Sequence, residues 1–167
     1  MVMLERRGFV AGLTATIMAV IAAVVGIPLA GYTILPALRR RPEAWLDAGA
    51  SADLLPGRPR ALKVHQTISD GWHKATVAKS VWAVKHASGE VVVYSGLCTH
   101  LGCGIRWIAQ QQRFECPCHT AAFGLDARVL GGPPPRPLDT VPSKVERGRL
   151  LVIYKEFKAG TAAKIEL

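Results

Sequence analysis

All four cysteines of this 167-residue chain fall in two short segments, Cys98-Thr99-His100-Leu101-Gly102-Cys103 and Cys116-Pro117-Cys118-His119. The same segments hold two of its five histidines. Each segment thus supplies a thiol, an imidazole and one further cysteine. A thiolate–imidazole pair from each suits a [2Fe–2S] cluster with sulfur ligands on one iron and nitrogen ligands on the other. Two loops must therefore meet at one centre. Gly102 and Gly104 allow the first to turn tightly, and Pro117 restricts the second.

Zinc is the main inorganic alternative, but its usual Cys₂His₂ sites place two cysteines in one element and two histidines in the other. A two-disulfide domain would leave His100 and His119 without a task. Four cysteines permit three complete pairings, so composition alone selects none of them.

Residues Val10 to Leu35 form an unbroken stretch of 26 without Asp, Glu, Lys, Arg or His. About 20 apolar helical residues cross a bilayer, so this stretch is expected to span it with some tilt. A cleaved secretory signal would normally have a hydrophobic section of only about 7–15 residues. Ahead of it, Glu5-Arg6-Arg7-Gly8-Phe9-Val10 resembles a twin-arginine export signal. Charge asymmetry points the other way, because Arg39, Arg40 and Arg41 outnumber Arg6 and Arg7 across the span. The export signal together with the cysteine pattern outweighs that count. The expected organisation is a cytoplasmic N-terminus at 1–9, a membrane helix at 10–35 ended by Pro36, and a connector at 36–60. A cluster-binding domain at 61–158 and a peripheral tail at 159–167 follow. The connector is expected to hold one short helix around Glu43 to Ala48.

From Leu62 onward the pattern becomes short β-like pieces: Leu62 to Ile68, Ser80 to His86, Val91 to Ser95, Ile105 to Ile108, Arg113 to Glu115 and Leu150 to Tyr154. Turn signals such as Ser88-Gly89 and Arg147-Gly148 separate them. An all-β, antiparallel sandwich or small barrel follows. The formal charge of +9 is scattered through this body with no nucleic-acid module to organise it, so nucleic acid is not an expected partner. His65, His73 and His86 lie outside the ligand segments. Trp72, Trp82 and Trp107 are core candidates, and Trp45 is a candidate for the membrane interface.

At the paired Cys–His segments the chain resembles the Rieske family, over about Leu62 to Glu156, and the preceding anchor resembles that of quinol–cytochrome reductase subunits. The resemblance implies a Rieske-type β-sandwich with a small cluster-binding subdomain, behind one N-terminal transmembrane helix. It implies one [2Fe–2S] cluster held by Cys98, His100, Cys116 and His119, with Cys103 and Cys118 joined as a disulfide. Gly132, Pro133 and Pro134 resemble the proline-rich loop that covers the cluster. His100 and His119 would take part in catalysis by accepting a hydrogen bond and proton from a quinol, and Leu101 would shape the quinol-facing surface. A cytochrome b or b6-like subunit and a c-type cytochrome would be partners. The location would be the bacterial cytoplasmic membrane, single-pass, with the domain on the outer face.

One stretch departs from the family's high-potential pattern. Those members follow the second histidine with Gly-Ser and place a Tyr two residues later, where this chain has Thr120, Ala121, Ala122 and Phe123. Ala121 and Phe123 bring no hydroxyl to the cluster, and loss of such donors lowers a reduction potential. The expectation is therefore a low-potential centre matched to menaquinol. The competing readings are the small subunit of another exported oxidoreductase, such as an arsenite-oxidase-like enzyme, and a zinc- or disulfide-stabilised domain without redox function.

Overall fold

The computed structural model describes residues 6–38, 43–70 and 73–167. Glu5, Arg39 to Arg41 and Trp72 lie outside the described residues. The chain divides into a unit of residues 1–42 and 69–73 and a β unit of residues 43–68 and 74–167.

Helix α1 (Arg6–Leu38) has 33 residues, about 50 Å at 1.5 Å per residue. It contains the one helix segment, among the described residues, that is long and apolar enough to cross a membrane. Ile17, Ile27 and Leu29, spread around the helix axis, all stand exposed, as on a helix that is apolar all round. Thr16 and Thr33 turn their hydroxyls back onto the carbonyls of Gly12 and Leu29, which satisfies them without water. The helix runs two residues beyond Pro36, where the sequence predicted its end. A proline withdraws only its own N–H, and so close to the terminus that loss does not stop the final turn.

The strands are β1 (Leu46–Ala50), β2 (Arg60–Asp70), β3 (His73–Lys85), β4 (Val91–Ser95), β5 (Arg106–Ile108), β6 (Arg113–Cys116), β7 (Ala121–Phe123), β8 (Val129–Gly131), β9 (Thr140–Val141), β10 (Ser143–Glu146) and β11 (Arg149–Val152). They form three sheets of order β1-β11-β10, β2-β3-β4-β9 and β5-β6-β7-β8. The first two sheets bury one core between them, with Ala48, Leu150 and Val152 from one and Val64, Val81, Ala83, Val93 and Val141 from the other.

The short helix expected around Glu43 to Ala48 is instead the lead into strand β1. An Ala-rich window has helical propensity, but pairing with β11 overrides it by burying Ala48 in the core. Asp47 accepts two hydrogen bonds from the Arg149 guanidinium on the paired strand. The sheet thus begins inside the stretch read as connector. Trp45, read as an interface anchor, lies under the Lys144 ammonium at 4.6 Å.

Strands β3 and β4 serve two cores. Side chains alternate across a strand, so Val81 and Ala83 face the sandwich while Trp82 and Val84 face a second cluster. That second cluster centres on Phe114, with Trp82, Tyr94 and Trp107 set edge-on against its ring at 5.3, 6.4 and 4.8 Å. All of the third sheet lies between β4 and β9, which are themselves paired through Val93↔Val141 and Tyr94↔Thr140. The Ser95 N–H donates to the Asp139 carbonyl at 2.7 Å and closes the insertion at its neck.

Candidate metal centre

The first Cys–His segment leaves the sheet at Gly96 and folds into a tight loop. Cys98 N–H donates to the Cys103 carbonyl at 2.8 Å, and Gly102 N–H returns to the Cys98 carbonyl at 2.9 Å. Gly102 adopts φ +77°, a left-handed conformation that side chains resist. The second segment is the β6–β7 turn: Cys116 ends β6 and pairs with Ala121 at the start of β7. Cys103 and Cys118 are joined as a disulfide across the two loops.

Cys98 and Cys116 are free thiols, only 2% and 3% exposed, and both belong to the Phe114 cluster. Burial pushes the Cys98 thiol up; the backbone N–H of His100 works against this, and the adjacent Cys116 thiol adds to it. The rings of His100 and His119 meet edge-on with centroids 4.8 Å apart. His100 is half-buried and His119 exposed. The Nδ1 atom of His100 is buried without a hydrogen-bond partner, a situation costing about 1–3 kcal/mol in an ordinary interior. An unpartnered imidazole nitrogen on the loop that also carries a buried free thiol suits a mixed sulfur–nitrogen metal centre, so the residue types present fit such a group.

The sulfurs of Cys103, Cys116 and Cys118 lie within 4.8 Å of one another. This triplet is not a three-thiolate site, since two of its sulfurs are bonded to each other. The site is cysteine-rich and consistent with Rieske-type iron–sulfur chemistry.

The family model described as "Rieske [2Fe-2S] domain" matches residues 44–142, more than half of the chain. The chain belongs to the Rieske [2Fe–2S] family. Among relatives of this Rieske chain, the cytochrome b6-f complex iron-sulfur subunit of Chlorobaculum tepidum is 31% identical over 148 residues, covering 89% of this chain and 75% of that protein. The menaquinol:cytochrome c reductase iron-sulfur subunit of Geobacillus thermodenitrificans is 28% identical over 128 residues, covering 74% and 76%. The cyanobacterial plasma membrane Rieske protein PetC3 from Synechocystis PCC 6803 is 30% identical, with coverage of 64% and 96% and a TM-score of 0.46.

Ala121 to Phe123, in the stretch expected to depart from the high-potential pattern, form strand β7. Ala121 and Phe123 are fully buried within the same cluster as Cys98 and Cys116. The Thr120 hydroxyl donates to the carbonyl of His119 at 2.8 Å. Thr120 also has φ +53°, where a β-branched residue is strained by about 1–2 kcal/mol. Replacing it with glycine, Thr120→Gly, should therefore stabilise the fold by about 1 kcal/mol after the extra unfolded-chain entropy of glycine is deducted. Thermal melting of the two proteins side by side checks this, and an unchanged or lower midpoint contradicts it.

Of the proline-rich loop, Pro134 is buried and Pro133 exposed. Gly132 lies so close to the start of β7 that an added Cβ would sit 2.7 Å from the Ala121 Cα. Leu101 is 62% exposed beside the histidines. His65 and His73 are exposed on β2 and β3. Sequence reasoning missed Thr99, which is 2% exposed and donates its hydroxyl to the Arg136 carbonyl at 2.8 Å. It also missed the terminal segment: Gly160 N–H donates to the Thr99 carbonyl at 2.9 Å, so the expected peripheral tail is bonded to the ligand loop. A charged residue between prolines, Arg136, was the available signal.

Proposed function

We propose that this Rieske chain is the electron-transfer subunit of a menaquinol–cytochrome c reductase, acting beside a cytochrome b or b6-like subunit and a c-type cytochrome. The general role, electron transfer as one subunit of a quinol–cytochrome oxidoreductase, follows from the family and the kind of relative it matches over most of their length. The observation that carries the finer reading is the absence of donors from Ala121 and Phe123, with the Thr120 hydroxyl already committed to a carbonyl.

Cys98 and Cys116 would hold one iron, and His100 and His119 the other. When bound, the [2Fe–2S] cluster supplies a one-electron acceptor for quinol and donor for a c-type cytochrome, with a potential set by its ligands and their hydrogen bonds. The chain's residues do the rest. A ring nitrogen of His100 or His119 that is not used in ligation would, when it carries no proton, accept the quinol hydroxyl's hydrogen bond and then its proton. The exposed Leu101 side chain offers an apolar surface next to that nitrogen. The Cys103–Cys118 bond and the Gly132–Pro134 loop keep the two ligand loops together. Arg6 and Arg7 serve as the export signal, α1 anchors the protein in the bacterial membrane with its N-terminus in the cytoplasm, and the β unit works on the outer face.

Redox titration of the purified full-length complex, read by electron paramagnetic resonance with haem and iron analysis, tests this. The expected centre gives a mixed-ligand [2Fe–2S] signal in the lower part of the roughly −150 to +300 mV Rieske range. A midpoint near the upper end overturns the menaquinol reading, and copurification with a molybdopterin subunit instead of cytochrome b overturns the complex. The donor argument has its own check. Ala121→Ser or Phe123→Tyr should each raise the midpoint by about 60 mV, the one-electron equivalent of about 1.4 kcal/mol for a new charge-assisted hydrogen bond. No rise in either variant removes the argument.

A further inference from the structure

We propose that Arg136 is a positioning residue for the metal centre, and that it acts through the C-terminal segment Lys158–Thr161, which straps the first ligand loop from behind. The inference rests on the reading of Cys98 and His100 as ligands.

Arg136 is 7% exposed, and every one of its five guanidinium N–H donors has a partner. Nε and Nη2 fork onto the two carboxylate oxygens of Asp139 at 3.0 and 2.7 Å. Nη2 also reaches the Lys158 carbonyl at 2.9 Å, and Nη1 reaches both the carbonyl and the hydroxyl of Thr161. The backbone carbonyl of the same arginine accepts the Thr99 hydroxyl, while the Thr99 carbonyl accepts the Gly160 N–H. These bonds close a ring: ligand loop to proline-rich loop, proline-rich loop to C-terminal strap, strap back to ligand loop. Thr99, between Cys98 and His100 in the chain, is held from both sides.

The strap is itself fixed at its base. Lys158 N–H donates to the Ile165 carbonyl, and Lys164 reaches the Thr140 carbonyl at 2.7 Å and covers the Phe157 ring at 4.7 Å. A cavity of about 20 Å³ lies between strap and loop, lined by residues that include Cys98, Thr99, Arg136, Asp139 and Ala159. This volume admits about one water and no more. With the strap present, Cys98 is screened from bulk solvent on that side. Removing it exposes the cavity more fully to bulk water, and hydration favours the more negatively charged reduced centre.

The test compares full-length protein in its complex with two variants: a chain ending at Lys158, and Arg136→Lys. Lysine keeps a charge for Asp139 but has only three donors on a point-like head, so it cannot complete the ring. Both variants should retain the [2Fe–2S] signal with a midpoint shifted upward, the truncation more than the substitution. Amide exchange over residues 98–103 should speed up about tenfold in the truncated chain, as expected for losing about 1.4 kcal/mol of local hydrogen bonding. Exchange is read whether or not the centre is loaded. If the wild-type protein gives no mixed-ligand signal, the proposed ligand set fails while exchange still decides the strap. An unchanged or lowered midpoint in signal-bearing variants, or unchanged exchange, overturns the proposal.

Discussion

Replacing Cys103 and Cys118 together by alanine should destabilise the β unit by about 3 kcal/mol, the value expected for opening a covalent loop of this length. The two cysteines are 15 residues apart in sequence and are the covalent link between the ligand loops. The first loop otherwise leans on single hydrogen bonds such as Cys98 N–H to Cys103 O, and the second is a four-residue β turn. Without the bond, the cluster absorbance should bleach at a temperature more than about 10 °C lower. Mild reductant should reproduce the effect in the wild-type protein and leave the double variant unaffected. Equal melting of the two proteins would falsify the clamp.

Gly132→Ala is expected to be as damaging through an unrelated cause. Gly132 has φ +92°, so alanine there is strained by about 1–2 kcal/mol from the backbone alone. Its Cβ would also stand 2.7 Å from the Ala121 Cα and 3.1 Å from the Ala121 nitrogen, both backbone atoms that cannot rotate away. Overpacking adds about 1–3 kcal/mol, for a total near 3 kcal/mol or above. Because Ala121 follows the second ligand loop and pairs with Cys116, the displaced backbone is that of the site. Iron per folded chain should fall along with the melting temperature. A variant that melts early but keeps full iron content would show that the contact supports only the sheet.

The two Cys–His segments stand out in the sequence because metal chemistry demands particular side chains at close spacing, and no tertiary context is needed to see them as candidates. Val91–Ser95 was read to the residue for a similar local reason: a β-branched run between turn signals. β7, β8, β9 and β10 were missed. Each has four residues or fewer, and their partners rather than their own patterns decide their conformation. β1 misled because Ala48 suits a helix locally and the core only once β11 lies beside it. Arg136 offers only the signal of a charge between two prolines, since a guanidinium saturated by Asp139, Lys158 and Thr161 leaves no periodic trace. The unpaired nitrogen on His100 likewise belongs to geometry alone.

The neck formed by β4 and β9 has a consequence for how such proteins diversify. The two ends of residues 96–139 emerge side by side, joined by the Ser95–Asp139 hydrogen bond. A span whose ends already touch can be exchanged for another of different length at little entropic penalty, since closure cost grows only logarithmically with loop size. The sandwich then behaves as a socket and the metal-binding span as a cartridge. Its tuning can drift while the socket stays put, limited mainly by the half of β3 and β4 that faces the cartridge.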